Sequence, residues 1–142
     1  QALLRDRSQG GHPTVLTPHP LEAARLLGCS TADIQSDRLA AAQALAQRYH
    51  SAVVLKGSGS VVAAPDETPR INPTGNARLA AGGTGDVLAG LMGARLAAAP
   101  PGGQGAFRAA VHACWEHGHA ADTWPADRAL TASALARALL SA

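Results

Sequence analysis

Aromatic side chains are scarce here, 3% of 142 residues, and they are Tyr49, Phe107, Trp115 and Trp124. Rings this few and this far apart form no stacking series for single-stranded nucleic acid. Charge is sparse too: charged residues make up 15% and the net charge is +2. That field is too weak to argue for nucleic acid or an anionic membrane as partner. The two cysteines, Cys29 and Cys114, lie far apart, fit no zinc spacing and build no disulfide framework. A reducing cytoplasm is therefore the expected compartment. No apolar run reaches the ~18 residues of a membrane span, and no charged start leads into a short apolar stretch. Internal repeats and low-complexity linkers are absent apart from an alanine bias.

What remains is a chain that is 46% hydrophobic, supplied largely by Ala, Leu and Val. Its length suits one domain with a real core. Residues 1–8 read as the end of a helix closed by Gly10-Gly11. Thr14–Thr17, between Pro13 and Pro18, reads as a buried strand. Pro20 and Glu22 suit the first turn of a helix that ends at Gly28. Asp33 to His50 reads as one helix, with Leu39, Ala42, Leu45, Ala46 and Tyr49 on its apolar face. Ala52–Leu55 is a continuous apolar run typical of a strand covered on both faces. The order strand, helix, strand predicts a crossover unit.

Lys56-Gly57-Ser58-Gly59-Ser60 follows that strand. Its glycines permit tight geometry, and Lys56 with the hydroxyls offers donors to an anion or a nucleotide. The same loop reads equally as a hairpin turn into Val61–Ala64. Pro65–Pro69 reads as an exposed turn, and Arg70–Asn72 as a short returning strand.

The most informative stretch is Asn72 to Gly90. Gly82, Gly83 and Gly85 let the backbone approach a ligand closely. Val87, Leu88, Leu91, Met92 and Leu96 then recur at helical spacing, so a helix is expected to start near Thr84. Its first amides lack helical acceptors and carry the positive end of the dipole, which makes an anion site. Asp86 stands at that mouth, where a carboxylate can act as base on a hydroxyl held beside the anion.

Pro100–Gly103 breaks the chain, and Ala106–Ala121 follows as a helix with Phe107, Ala110, Val111, Cys114 and Trp115 expected inward. It also carries His112, Glu116, His117 and His119, but in no His-Glu-x-x-His order, so no metal ligand is assigned. Thr131 to Ala142 reads as a last helix, capped by Thr131, with Leu135, Leu139 and Leu140 inward.

Gly82-Gly83-Thr84-Gly85-Asp86, followed by Val87-Leu88-Ala89-Gly90, resembles the anion-hole motif of ribokinase-like enzymes. With Asn72 and Asn76 upstream, the stretch resembles the ADP- or ATP-dependent NAD(P)H-hydrate dehydratases. Thr17-Pro18-His19-Pro20-Leu21-Glu22 is similar to that family's signature at the end of a central strand, with Leu21 where most members have Gly. Lys56–Ser60 is similar to its nucleotide loop. His117-Gly118-His119-Ala120-Ala121-Asp122 is similar to its structural helix end. Ala77 stands where the family often has Pro.

The resemblance implies a ribokinase-like three-layer α/β/α fold with a mainly parallel central sheet. Such a domain is longer than this chain, so residues 1–142 are expected to be its C-terminal part. The implied activity is repair of NAD(P)H hydrate: phosphorylation of the ring hydroxyl by ADP or ATP, then elimination of phosphate to restore the ring double bond. The resemblance casts Asp86 as general base and Gly83, Thr84 and Gly85 as anion hole. It gives nucleotide contact to Lys56, Gly57, Ser58, Gly59, Ser60 and Gly85, and substrate contact to His19 and Asp86. Asn72 and Asn76 are expected to support the site. Mg²⁺ is expected on the phosphates, with no protein ligand named. The expected partners are NAD(P)H hydrate, ADP and AMP, with self-association into a tetramer or larger. Two other readings share these residues: a ribokinase-like kinase of a small alcohol or vitamin precursor, and a non-catalytic nucleotide-binding fragment.

Overall fold

A computed structural model describes residues 2–9 and 12–140 of the chain. The expected closure of the first helix at Gly10-Gly11 lies outside the described residues. That helix, α1, covers Ala2–Gln9. Strand β1 is short, Val15–Leu16, and α2 follows over Pro20–Leu27. Helix α2 opens with Pro20 as its first residue and closes on Gly28 in the left-handed region. Pro tolerates the first helical position because that amide needs no partner.

The single helix expected over Asp33–His50 is in fact two. Helix α3 covers Thr31–Ser36 and α4 covers Arg38–Tyr49. Local side chains compete with the helical ladder here. Ser30 and Asp33 form a reciprocal capping box that starts α3. Asp37, at φ −148°, leaves the helix and accepts from the Ala40 amide at 2.9 Å to start α4.

Strands β2 (Ala52–Leu55), β3 (Val61–Ala64) and β4 (Glu67–Ile71) complete a four-stranded sheet in the order β1-β2-β3-β4. β1 runs parallel to β2, while β2–β3 and β3–β4 are antiparallel hairpins. Within the described residues, the parallel part of the sheet is thus β1–β2 alone. Strand β4 starts at Glu67, inside the stretch read as a turn, because Arg70 pairs with Val62 and, past an irregularity in register, Glu67 pairs with Ala64, extending the pairing that Ile71 makes with Val61.

A 3₁₀ turn, Ala77–Ala80, precedes α5 (Thr84–Ala98), α6 (Gly103–Asp122) and α7 (Ala132–Leu140). Period-two alternation on β2 and β3 divides the core into two sides. Val53, Leu55, Val61 and Ala63 face α4, with Ala42, Leu45 and Tyr49 among their buried neighbours. Ala52, Val54, Val62 and Ala64 face α5 and α6, with Met92, Phe107 and Ala110. The fold is therefore α/β/α in three layers. Each fully buried Leu or Val adds ~1.5–3 kcal/mol, and small alanines let the helices sit close to the sheet.

Three inward assignments fail. Trp115 is 46% exposed, Leu39 44% and Leu140 86%. Leu135, by contrast, is fully buried in a third small cluster with Ala121 and Leu130. No described helix is long and apolar enough to cross a membrane.

Where α6 begins, a Cβ on Gly105 would run into the Pro100 carbonyl, whereas nothing lies near Gly103. Gly105→Ala is expected to lose about 1–3 kcal/mol through overpacking, while Gly103→Ala leaves stability unchanged or slightly higher. Paired urea titrations check this, and equal midpoints for the two variants would contradict it.

Candidate active site

Four chain segments meet at one end of the sheet. The Lys56 amide donates to the Pro18 carbonyl at 2.9 Å, extending the β1–β2 pairing past both strands. That bond places the Thr17–Glu22 segment beside the Lys56–Ser60 loop. The Asn72 amide donates to the Ser60 carbonyl at 2.8 Å, which brings the end of β4 to the same loop. The N-terminus of α5 completes the group: Lys56 Nζ lies 3.6 Å from where a Cβ on Gly85 would stand.

A cavity of about 490 Å³ opens between these segments, lined by Lys56–Ser60, Asn72, Asn76, Thr84, Gly85 and His117 among others. Its size suits a small-molecule ligand. Gly83, Asp86 and His19 do not line it. Asp86 is exposed at the helix mouth, and His19 lies on the far side of Glu22.

Gly83 is the N-cap of α5, with φ 85° and ψ −10°. A side chain there would be strained in this left-handed conformation and would also press Ala132 at 3.1 Å. Its carbonyl accepts from the amides of Asp86 and Val87, both at 3.1 Å. Among the described residues, no protein acceptor meets the amides of Gly83 or Gly85. Thr84 differs from the expectation. Its amide turns to the Ala81 carbonyl at 3.4 Å, and its buried hydroxyl lies 2.6 Å from the Leu79 carbonyl. Of the three amides expected to form the anion hole, those of Gly83 and Gly85 are thus open, while Thr84 anchors the turn from beneath.

The Lys56–Ser60 loop joins β2 to β3 as a hairpin connection, and it also lines the cavity. Its underside is held by Arg38, which the sequence reading did not single out. The Arg38 guanidinium donates to the carbonyls of Ser58 at 2.6 Å and Leu55 at 3.2 Å. It also lies 2.7 Å from where a Cβ on Gly57 would stand, so a side chain there would push the guanidinium aside.

His19 caps α2. Its Nδ1 accepts from the Glu22 amide at 3.2 Å, and Glu22 Oε2 accepts from the His19 amide at 2.7 Å. With Nδ1 accepting, the neutral ring carries its proton on Nε2. Glu22 Oε2 also lies 3.9 Å from Lys56 Nζ. Glu22 therefore links His19 to the lysine beside Gly85, a link the sequence shows only as a first-turn acid.

Asn72 and Asn76 are tied to α6. Asn72 Nδ2 donates to the carbonyls of Thr74 and Cys114, at 3.0 and 3.2 Å. Asn76 Nδ2 donates to the Ala121 carbonyl at 2.9 Å and Asp122 Oδ1 at 3.0 Å, and its Oδ1 accepts from the Arg78 amide. Asp122 Oδ2 accepts from the Gly75 amide at 2.8 Å. The 72–76 strap comes so close to α6 that a Cβ on Gly118 would run into Thr74 Oγ1 and the Thr74 backbone. Two more α6 residues face the cavity, Cys114 and His117. His119 turns outward and stacks on Trp115, with ring centroids 4.6 Å apart. No group of three or more His, Cys, Asp or Glu able to hold a metal occurs among the described residues.

Residues 2–141 match a family model described as NAD(P)H-hydrate dehydratase. The chain belongs to that family. It is 43% identical over 132 residues to the ADP-dependent (S)-NAD(P)H-hydrate dehydratase of Neisseria meningitidis, covering 93% of this chain and 43% of that protein. It is 53% identical over 113 residues to the bifunctional NAD(P)H-hydrate repair enzyme Nnr of Escherichia coli, covering 78% of this chain and 21% of that one. Among solved structures, it superposes on the Bacillus subtilis ADP/ATP-dependent NAD(P)H-hydrate dehydratase co-crystallized with ATP/Mg²⁺. The TM-score is 0.76 at 34% identity, over 92% of this chain and 47% of that one. The chain thus spans less than half the length of these dehydratase relatives, and the ribokinase-like fold holds across the part it spans.

Burial pushes the Cys114 thiol up to about 12, whereas Cys29 is exposed. The thiolate is the reactive form, so a thiol titration of the folded chain should modify Cys29 alone. Rapid modification of both would contradict the packing around Cys114.

Burial lowers the pKa of His117 from its ordinary 6.5, against the raising effect of its bond to Thr84. The unfolded chain then takes up a proton near 6.5 that the folded chain takes only at lower pH. Stability is undiminished above that window and falls as pH drops through it. Denaturation curves at about pH 7.5 and 5.5 should show this loss, and His117→Gln should show less of it. Equal losses would remove His117 as the cause.

Proposed function

We propose that this chain carries the phosphoryl-transfer half of an NAD(P)H-hydrate dehydratase, as the C-terminal part of one ribokinase-like domain. The supporting observation is the pair of unpaired amides, Gly83 and Gly85, at the start of α5, with Asp86 exposed beside them and the Lys56 ammonium next to Gly85. Amides fixed in advance at a helix mouth stabilise the charge that spreads over a transferring phosphoryl group.

In this reading ADP lies in the cavity along Lys56–Ser60, with its terminal phosphate toward Gly85. Asp86 takes the proton from the ring hydroxyl of the hydrated nicotinamide as the hydroxyl oxygen attacks phosphorus. The phosphorus–oxygen bond to AMP breaks. The new phosphate ester then leaves as inorganic phosphate, taking the electron pair of its carbon–oxygen bond, and the adjacent ring proton is lost as the double bond re-forms. Phosphate is a far better leaving group than hydroxide, which is why the first step makes the second feasible.

Lys56 holds the phosphates by charge, kept in place by Glu22. His19, oriented by the same Glu22, faces the nicotinamide side. Thr84 anchors the turn, and Asn72 and Asn76 hold the strap that walls the cavity. Mg²⁺ would be bound by the phosphates and water, since no ready-made carboxylate cage occurs among the described residues, and there it would neutralise phosphate charge. ADP as the donor rather than ATP, homo-oligomeric assembly and a cytoplasmic location belong to the same proposal.

The test uses the full-length protein with NADH hydrate, ADP and Mg²⁺, following recovery of NADH absorbance. Turnover is expected, and Asp86→Asn is expected to lose about a thousandfold or more while AMP binding by calorimetry stays intact. Normal activity in that variant would remove Asp86 as the base. ADP consumed only with a small alcohol, and never with NADH hydrate, would favour a kinase.

A further inference from the structure

We propose that His117 is a positioning residue for the phosphoryl site, aiming and polarising the Gly85 amide through one hydrogen bond to the Thr84 carbonyl. The bond is 2.9 Å from His117 Nε2, and the imidazole is 7% exposed. The proposal rests on the dehydratase reading and deepens it.

The argument turns on the peptide plane. The Thr84 carbonyl and the Gly85 N–H belong to one rigid, trans peptide unit, pointing in opposite directions. Holding the oxygen therefore holds the direction of the N–H. A carbonyl oxygen has two lone pairs, so it can accept from His117 as well as from its own helix. Hydrogen bonds in series polarise one another, by roughly 10–30% per bond. A donor on the oxygen draws electron density through the peptide and makes the Gly85 N–H a stronger donor. That N–H has no protein acceptor among the described residues.

The placement of the ring is specified by its surroundings. Gly118, the next residue, lies against Thr74 with no room for a side chain. Asp122, one turn further, accepts from the Gly75 amide. These contacts lock α6 against the 72–76 strap, so His117 reaches Thr84 from a fixed base. Packing alone would need only an apolar side chain at 117, whereas the observed residue places a nitrogen on an already helical carbonyl.

The experiment compares His117→Leu, which removes the donor, with His117→Gln, which can restore one, in the full-length protein. Should the Leu variant not fold, His117→Met, unbranched and without a donor, replaces it. The Gly85 amide ¹⁵N and ¹H resonances are followed alone and during titration with inorganic phosphate. Activity is followed with NADH hydrate and ADP.

Loss of the donor is expected to shift the Gly85 resonance, weaken its response to phosphate and lower kcat about tenfold, with KM for ADP little changed. His117→Gln is expected to recover most of all three. An unchanged Gly85 resonance in the folded Leu or Met variant would overturn the proposal. So would equal losses in the Gln and Leu variants, because packing and not the donor would then be responsible. If the wild type fails to turn over NADH hydrate, the dehydratase reading falls, and the Gly85 resonance still decides the role of His117.

Discussion

Two backbone amides, those of Gly83 and Gly85, stay open at the mouth of α5 because the atoms around them are already committed. Thr84 spends its amide and hydroxyl on the carbonyls of residues 79 and 81. The Gly83 carbonyl takes up Asp86 and Val87. His117 holds the peptide between Thr84 and Gly85 from behind. An unpaired donor that water can reach costs little in the folded chain, and an anion can replace that water with a stronger, charge-assisted bond.

Helix α6 is the element that joins the fold to this site. On the sheet side it buries Phe107, Ala110 and Ala113. In its second half the same helix supplies Cys114 and Trp115 carbonyls, His117, Gly118 and Asp122 to the strap and to α5. One rigid rod thus sets the position of both walls of the cavity relative to the sheet. On the opposite face, Arg38 at the start of α4 does the corresponding work for the Lys56–Ser60 loop. The site is built at the end of the sheet, but its precision comes from the helix layers on either side.

The motif His117–Asp122 was expected to be a structural helix end, and its Asp122 and Gly118 are that. His117 is more, because it touches the peptide that presents an open amide. Its sequence signal is weak: a histidine among two others on one alanine-rich helix. Trp115 shows the converse. Helical spacing put it inward, yet it lies at the rim and stacks on His119, since an amphipathic pattern specifies a face but not where the neighbouring layer ends.

Short-range chemistry is what the sequence by itself determined. Glycines at the turn, a proline opening α2, period-two and helical spacings, and the residues of the cavity-lining loops all depend on neighbours a few positions apart. Even the split between α3 and α4 is local in origin, since Asp37 caps a helix that a purely apolar pattern would run straight through. Only the tertiary structure decided which donors remain free, that Glu22 joins His19 to Lys56, and that Arg38 and His117 brace the site. Those facts rest on contacts such as Arg38 with Ser58 or His117 with Thr84, between residues distant along the chain. Hydrophobic spacing specifies that two elements pack, but the register in which they pack is settled only when both are placed against the same sheet.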